Sequence, residues 1–234
     1  MNTSEFRNDE VRFEKEVGKF LDKYFYPKID TSFKRVESLE EQYQGIDVYI
    51  GNCAIDEKVA CHYVNSDLPT FAFEISYINR GEYLQDGWLL DDKLKTDVYL
   101  LMWVYTEKFP FVKQTWNGNF YITEKTIIYE SLTAEEISSI DCCILSKANL
   151  LNYLESINLT KDKLRDLSAY MRENKKKIYE ISSNLRLQSS SNLVEYPVNL
   201  IISKNILKTI SNVKKITKRN IRPMVRSKRI KRNS

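Results

Sequence analysis

The sequence predicts an α/β (α+β) protein in which a central mixed sheet is flanked by helices. Three patterns support this class. Residues 5–26 have the apolar periodicity of an amphipathic helix, and residues 46–60 have the pattern of a β-hairpin. Residues 97–105 (DVYLLMWVY) form a largely apolar run, which is typical of a strand buried on both faces.

The first helix is predicted from a single apolar stripe that repeats with the helical period. Ser4 suits the N-cap position, and Pro27 ends the helix. Two acidic residues, Glu10 and Glu14, fall on or beside this stripe. The stripe consists of Phe6, Phe13, Val17, Phe20, Leu21 and Tyr24.

The strands of the first half are predicted from short runs with alternating or apolar character. Phe33–Val36 is a short candidate, and Phe71–Ser76 alternates along its length. Between them, Gly51-Asn52 is a two-residue turn signal that joins strands over Ile46–Ile50 and Cys53–Ala60. This hairpin is the part of the sequence that carries chemistry.

The second half is predicted to be more helical. Thr133–Ile140 opens with a pattern like a capping box, and Ser146–Ile157 and Thr160–Lys176 are further helices. Tyr179–Leu187 and Leu193–Ile202 read as strands, followed by a helical pattern to about Ile216. We expect a core over residues 1–130, a C-terminal elaboration of helices and strands over 131–212, and a basic, disordered tail over 213–234. Whether residues 131–212 complete the core or form a separate specificity module is left open.

Composition excludes several classes of protein. No apolar run reaches the roughly 20 residues that span a bilayer, and the N-terminus lacks the pattern of a secretion signal. We therefore expect a cytoplasmic protein with no membrane partner. The four cysteines and the single histidine, His62, lack the spacing of zinc ligands. A lone histidine also argues against Ser-His-Asp or Cys-His catalysis.

The charge is distributed unevenly along the chain. Glu195 is the last acidic residue, so positions 1–195 carry 24 basic and 32 acidic residues, a net charge of −8. The following segment carries +12 and would attract polyanions through phosphate contacts and counterion release. A solubilising or disordered C-terminus is the alternative, and it is compatible with binding. The predicted nucleic-acid-binding residues are Lys214, Lys215, Lys218, Arg219, Arg222, Arg226, Lys228 and Arg229.

The hairpin turn predicts which residues face each other. With a two-residue turn, Val48 lies opposite Ile55 and Asp47 lies opposite Asp56 in a non-hydrogen-bonded pair. The Cα atoms of such a pair are about 4.5 Å apart, and two opposed carboxylates need a nearby positive charge to remain ionised. Lys58 supplies one, because strand alternation places it on the same face as Asp56.

These residue types suit a magnesium or manganese site. Asp47, Asp56 and the main-chain carbonyl of Glu57 are the hard oxygen ligands that Mg²⁺ prefers. Lys58 would orient a water molecule or stabilise charge on a phosphate. The Glu57 side chain would point to the opposite face. The alternative is an Asp–Lys salt bridge on a solvated hairpin face. The site has small neighbours in Ala54 and Ala60, and Trp88, Thr96, Asp97 and Tyr99 are candidates for a cleft or for core packing.

The order of these features resembles the PD-(D/E)XK nuclease superfamily, also called restriction-endonuclease-like. An acid-bearing helix is followed by a strand, by Gly45-Ile46-Asp47-Val48 and by Ile55-Asp56-Glu57-Lys58-Val59-Ala60. The resemblance covers roughly residues 5–105, including Gln44 before the motif, and the chain has no proline before Asp47, as is common among members. It implies an αβββαβ core and catalytic roles for Asp47, Asp56, Lys58 and a helix acid. We place Glu14 in that last role, because Phe13 and Val17 hold it near the core, and Glu10 is the alternative.

The resemblance implies a Mg²⁺-dependent endonuclease that hydrolyses nucleic acid, DNA more than RNA. An alternative is a catalytically inactive nucleic-acid-binding or assembly protein with the same fold, against which the intact Asp–Asp–Lys set argues. A third reading, in which the tail contacts anionic membrane or a protein partner, lacks the amphipathic basic helix that it needs. Many nucleases of this type act as dimers, so a homodimer is left open.

Overall fold

The computed structural model describes residues 3–66, 68–79, 83–108, 132–191, 193–218 and 221–223, and within these the fold is mixed α/β. The helices are α1 (Thr3–Tyr24), α2 (Leu39–Tyr43), α3 (Lys147–Ser156), α4 (Lys161–Glu173) and α5 (Lys204–Ile210).

Two sheets contain the described strands. The larger sheet has the spatial order β1 (Lys34–Arg35), β2 (Val48–Ile50), β3 (Cys53–Val59), β6 (Val98–Thr106), β7 (Ile137–Ser146), β11 (Asn212–Thr217) and β12 (Ile221–Pro223). The smaller sheet has the order β5 (Tyr83–Asp86), β4 (Thr70–Asn79), β10 (Val198–Ser203), β9 (Leu185–Ser189) and β8 (Ile178–Ser182).

The larger sheet is mixed, as the sequence predicts. Its strands β3 and β6 are parallel, whereas its other neighbouring strands are antiparallel. The strands of the smaller sheet are all antiparallel. A mixed sheet flanked by helices is therefore confirmed.

The larger sheet separates two hydrophobic cores. On one face, Phe13, Val17 and Phe20 of α1 pack with Leu100 and Met102. On the other face, residues of the smaller sheet, α3 and α4 pack on the intervening residues of β6, which are Tyr99, Leu101 and Trp103. The prediction that residues 97–105 form a strand buried on both faces is confirmed.

Gly45 directs the chain into the hairpin. It has a φ of +72°, a conformation that L side chains rarely adopt, and a Cβ there would lie 2.6 Å from Thr96 Oγ1. The Thr96 hydroxyl donates a hydrogen bond of 2.8 Å to the Gly45 carbonyl. This close approach sets the direction in which Ile46 and Asp47 enter β2.

The predicted helix over Thr133–Ile140 is wrong. Thr133 and Glu136 do form the capping box, but it closes only a single 3-10 turn over Ala134–Glu136. The chain then enters β7, which pairs with β6 on one side and with β11 on the other. Pairing along both edges of an apolar strand outweighs the local capping signal.

The C-terminal part also differs from its predictions. The run Tyr179–Leu187 is two strands of a hairpin, β8 and β9, and the strand expected from Leu193 begins only at Val198. The helical pattern expected to about Ile216 holds only over Lys204–Ile210. Within the described part neither helix nor disorder extends over Asn212–Thr217, which is β11 with Ile216 fully buried. Residues 131–212 supply β7 to the larger sheet and β8 to β10 to the smaller one.

The helices of the described residues include none with the length and apolar character needed to cross a membrane.

Candidate functional site

The register predicted for the hairpin is confirmed for the three pairs nearest the turn. Gly51 has a φ of +57° in the turn, and the strand pairs are Val48 with Ile55, Tyr49 with Ala54, and Ile50 with Cys53. The ladder of pairs ends at Ile55. The following residues of β3 therefore present an edge on the β2 side that no described strand pairs with.

Asp47 reaches this edge through its side chain. Its N–H donates to the Ile55 carbonyl at 2.8 Å, and its Oδ2 accepts the Glu57 N–H at 2.7 Å. The carboxylate thus takes the place that a neighbouring strand would have. The expected direct strand pair between Asp47 and Asp56 is not formed, because the ladder stops one residue earlier.

Asp56 is almost completely buried, with 2% of its surface exposed. Its Oδ1 lies 2.7 Å from Lys58 Nζ, whereas its Oδ2 has no hydrogen-bond partner among the described residues. Burial raises the pKa of Asp56 to about 6, and the nearby Asp47 adds to this shift, whereas Lys58 opposes it. A buried carboxylate with an unsatisfied oxygen is costly unless something binds to it.

Lys58 lies on the same face as Asp56, and 29% of its side chain is exposed. Burial acts to lower the pKa of its ammonium, but the carboxylates of Asp56, Asp47 and Glu14 outweigh burial and raise that pKa. The Lys58 ammonium is therefore protonated at neutral pH. It also lies 5.2 Å from the centre of the Trp88 ring.

Glu14 of α1 approaches the same group of side chains. Its carboxylate lies 3.8 Å from Cys61 Sγ, which follows β3 in the chain. Burial is the largest influence on Glu14 and raises its pKa to about 7, with Lys58 opposing and with Asp47 and Glu10 adding to the shift. Glu14 nevertheless remains exposed to solvent as a whole residue, so it lies at the margin of the site.

The Glu57 side chain lies on the opposite face of the sheet, as strand alternation predicts. It accepts a hydrogen bond of 2.6 Å from the Tyr26 hydroxyl and one of 2.8 Å from Arg35. Arg35 also binds Asp22 of α1, so this network ties α1 to β3 behind the site. Because main-chain groups of one residue point the same way across a strand, the Glu57 carbonyl faces the open edge near Asp47.

The two alanines differ in their surroundings. Ala54 is buried in a small cluster with Val36 and Ile46, and its N–H is bound by Asp97 Oδ2 at 2.9 Å. Ala60 lies partly buried beside the core between the sheets.

The network of Arg35 could not be predicted from the sequence. It has no local signal, because the partners of Arg35 lie 13 and 22 residues away.

The carboxylate and carbonyl oxygen atoms at this edge are of the kind that hard divalent cations such as Mg²⁺ prefer as ligands. Among the described residues, no group of three or more His, Cys, Asp or Glu side chains is arranged to hold a metal ion. The predicted ligand set needs only two such side chains, Asp47 and Asp56, together with the Glu57 carbonyl. The unsatisfied Oδ2 of Asp56 is the observation that favours a bound cation.

The described basic residues of β11 and the turn after it lie apart from this edge. Lys215 contacts Asp141 at 3.7 Å and the Tyr105 ring at 5.5 Å, and Lys218 binds the Glu135 carbonyl. Two strands separate β3 from β11, which corresponds to roughly 14 Å at the usual strand spacing. Lys214 lies on β11, and only the main chain of Arg222 is described, whereas Arg219, Arg226, Lys228 and Arg229 lie outside the described residues.

No protein-family model matches this chain, and neither a curated protein nor a solved structure matches it. The chemistry of the site must therefore be argued from its own residues.

Proposed function

We propose that the chain is a metal-dependent nuclease that hydrolyses phosphodiester bonds of nucleic acid, DNA in preference to RNA. The observation that carries this proposal is the group of Asp47, Asp56 and Lys58 at the open edge of β3. Asp56 is buried there with one unsatisfied oxygen, and Asp47 binds the adjacent main chain instead of a strand partner. A salt bridge alone would not require a second carboxylate at this position.

Each residue has a defined task in this proposal. Asp47, Asp56 and the Glu57 carbonyl hold Mg²⁺ or Mn²⁺, which when bound polarises the phosphodiester and activates water. Lys58 carries a positive charge next to the ion, where it can contact a phosphate oxygen or orient the attacking water. Glu14, with its pKa raised to about 7, exchanges protons near neutral pH at the margin of the site.

The chain order of the elements supports the assignment to the PD-(D/E)XK class. Helix α1, which carries Glu14, precedes β1, β2 and β3, and β6 then adds to the sheet in parallel with β3. The described residues between β3 and β6 form β4 and β5 and no α-helix, so this part departs from the αβββαβ order. The resemblance implies an αβββαβ core with this acid-bearing helix first. We assign Asp47 to the motif Asp and Asp56 with Lys58 to the (D/E)XK motif on that basis.

The basic C-terminal segment supports nucleic acid as the substrate. From Asn212 onward it carries ten of the twelve basic residues that follow Glu195, and its first part, β11, is a strand of the same sheet as the site. A spacing of roughly 14 Å between β3 and β11 is shorter than the roughly 17 Å that a nucleic-acid strand spans over about six phosphates at 3.4 Å per interval. One bound strand can therefore contact both places.

The test is a cleavage assay with variants of single residues. Purified protein is incubated with plasmid, linear and single-stranded DNA and with RNA, with Mg²⁺, with Mn²⁺ or with EDTA. We expect metal-dependent cleavage of DNA by the parent protein, and a loss of at least about 100-fold in Asp56→Asn and Lys58→Gln. Binding of the DNA should persist in Lys58→Gln.

Asp162→Asn is the matched control, since Asp162 is a surface acid with 89% of its side chain exposed. It should cleave like the parent. Cleavage by Asp56→Asn equal to that of the parent would contradict the site assignment. Binding of nucleic acid without cleavage under every condition would favour the alternative, a nuclease-like protein that binds nucleic acid without hydrolysing it.

A further inference from the structure

Trp88 lies against the ammonium group of the proposed catalytic lysine. The Lys58 Nζ is 5.2 Å from the centre of the indole ring and 2.7 Å from Asp56 Oδ1, so the ammonium has the ring on one side and the carboxylate on another. An ammonium near the face of an indole ring is attracted by the quadrupole of the ring. Asp56 and Trp88 therefore hold the same group.

The indole ring is itself held by other aromatic rings. Its centre is 5.3 Å from that of Phe73 and 5.0 Å from that of Tyr99, and both of these residues are fully buried. The Tyr99 hydroxyl also donates a hydrogen bond of 3.2 Å to the Trp88 carbonyl. The ring therefore has little freedom to leave the lysine.

The main chain on either side of Trp88 is bound to β4. Gly87 N–H donates to the Ile75 carbonyl at 2.7 Å, and Leu89 N–H donates to the Glu74 carbonyl at 3.1 Å. A Cβ at Gly87 would lie 2.5 Å from the Glu74 carbonyl oxygen, so only glycine permits this approach. The smaller sheet thus determines where Trp88 lies relative to β3.

We propose that Trp88 is a positioning residue. It keeps the Lys58 ammonium at the open edge of β3 when Asp56 binds a metal ion in place of the lysine. This inference rests on the proposed nuclease function. A cation bound at Asp56 competes with Lys58 for the same carboxylate, and the ammonium then needs another partner in order to stay beside the phosphate. The face of a fixed indole provides that partner without neutralising the positive charge.

The contact is tested first without any activity. Lysines are labelled by reductive methylation with ¹³C-formaldehyde, and the Lys58 signal is assigned by its absence in Lys58→Arg. We expect this signal to lie upfield, owing to the ring current of the indole, and to return to the position of ordinary lysines in Trp88→Leu. Tyr170→Leu is the matched control, since it removes a contact of 4.9 Å with Lys176 elsewhere.

The positioning role is then tested by kinetics with a nucleic-acid substrate and Mg²⁺. Trp88→Leu should lower kcat about tenfold with KM changed less than about twofold, and Trp88→Phe, which keeps an aromatic face, should recover most of that loss. Thermal unfolding of both variants checks that the packing on Phe73 and Tyr99 persists, and Trp88→Phe keeps the test valid if Trp88→Leu does not fold.

The outcomes separate this inference from the proposed function. If the parent protein cleaves and both Trp88 variants retain its kcat, the positioning role is overturned and the nuclease function stands. An ordinary chemical shift for Lys58 in the parent protein would also overturn the positioning role. Absence of cleavage by the parent overturns the proposed function, and the positioning role falls with it.

Discussion

At the scale of single residues, Asp56 combines burial with an unsatisfied oxygen. Its raised pKa means that the folded protein binds a proton more readily than the unfolded chain does. Stability from this group is therefore fully present below about pH 4 and is lost as the pH rises to about 6. At neutral pH, ionised Asp56 weakens the fold in the absence of a cation.

Asp56→Asn should accordingly stabilise the metal-free protein at pH 7.5. We expect a gain of about 2 kcal/mol in the free energy of unfolding that disappears below about pH 4, where Asp56 is protonated in both states. Urea unfolding in EDTA at several pH values measures this gain. Added Mg²⁺ should stabilise the parent but not the variant, and a variant that is less stable at pH 7.5 in EDTA would contradict the prediction.

The residues that could be predicted from the sequence were those with short-range signals. The turn Gly51-Asn52 determines the register of its own hairpin, so the placing of Asp56 and Lys58 on one face and of the Glu57 side chain on the other needed only local geometry. The contact of Trp88 with Lys58 joins residues 30 positions apart through β4. No local pattern reports such a contact.

At the scale of elements, one ionic network holds α1 against the larger sheet. Arg35 of β1 binds Glu57 of β3 and Asp22 of α1, and only 9% of the Glu57 side chain is exposed. Removing one partner of such a buried pair leaves an unpaired charge, whereas removing both partners costs much less. The network thus stabilises the orientation of the acid-bearing helix.

Arg35→Met should destabilise the protein by about 3 kcal/mol, because it leaves the Glu57 carboxylate with only the Tyr26 hydroxyl as a side-chain partner. The double variant with Glu57→Met should recover at least half of this loss in urea unfolding. Arg165→Met is the control, since its ion pairs with Asp86 and Asp162 lie at the surface, with 36% of the Arg165 side chain exposed, and should contribute less than about 1 kcal/mol. Equal losses in the single and double variants would show that Glu57 is not the partner that matters.

Elements with a complete local signal were predicted well, and those that depend on distant partners were not. The helices α3 and α4 follow the predicted ranges within a few residues, with Ser146 and Thr160 as their N-caps. In contrast, β7 is a strand because it pairs with β6 and β11, and β11 is a strand because it pairs with β7 and β12. Their partners are remote in sequence, so the capping box before β7 and the basic composition of β11 were misleading.

At the scale of the whole molecule, the basic segment has two parts with different roles. Its first part, β11, is bound to β7 along its whole length and buries Ile216, so a truncation after Ser211 would remove a strand of the sheet. Five basic residues follow Pro223, namely Arg226, Lys228, Arg229, Lys231 and Arg232. Nucleic-acid binding is therefore best tested by a truncation after Pro223.

This truncation should weaken binding to duplex DNA and flatten its dependence on salt. If all five residues contact phosphates, the slope of log K against log salt should change by about 4.5, because each contact contributes about 0.9. Fluorescence anisotropy between 50 and 300 mM KCl measures the slope, with Lys161→Gln as a control that removes one positive charge from α4. An unchanged slope would show that these residues do not bind the DNA backbone.

The hairpin turn has a further consequence for changes in chain length. Nothing lies within 4 Å of a Cβ added at Gly51, so the surroundings do not restrict what the turn is made of beyond its positive φ. The length of the turn, however, is restricted. Because β3 pairs with β6, an extra residue in the turn would shift the register of β2 rather than that of β3, and Asp47 would then point to the opposite face. The length of the turn therefore determines whether Asp47 lies at the site. Inserting one residue there would remove a carboxylate from the site while every site residue remained unchanged.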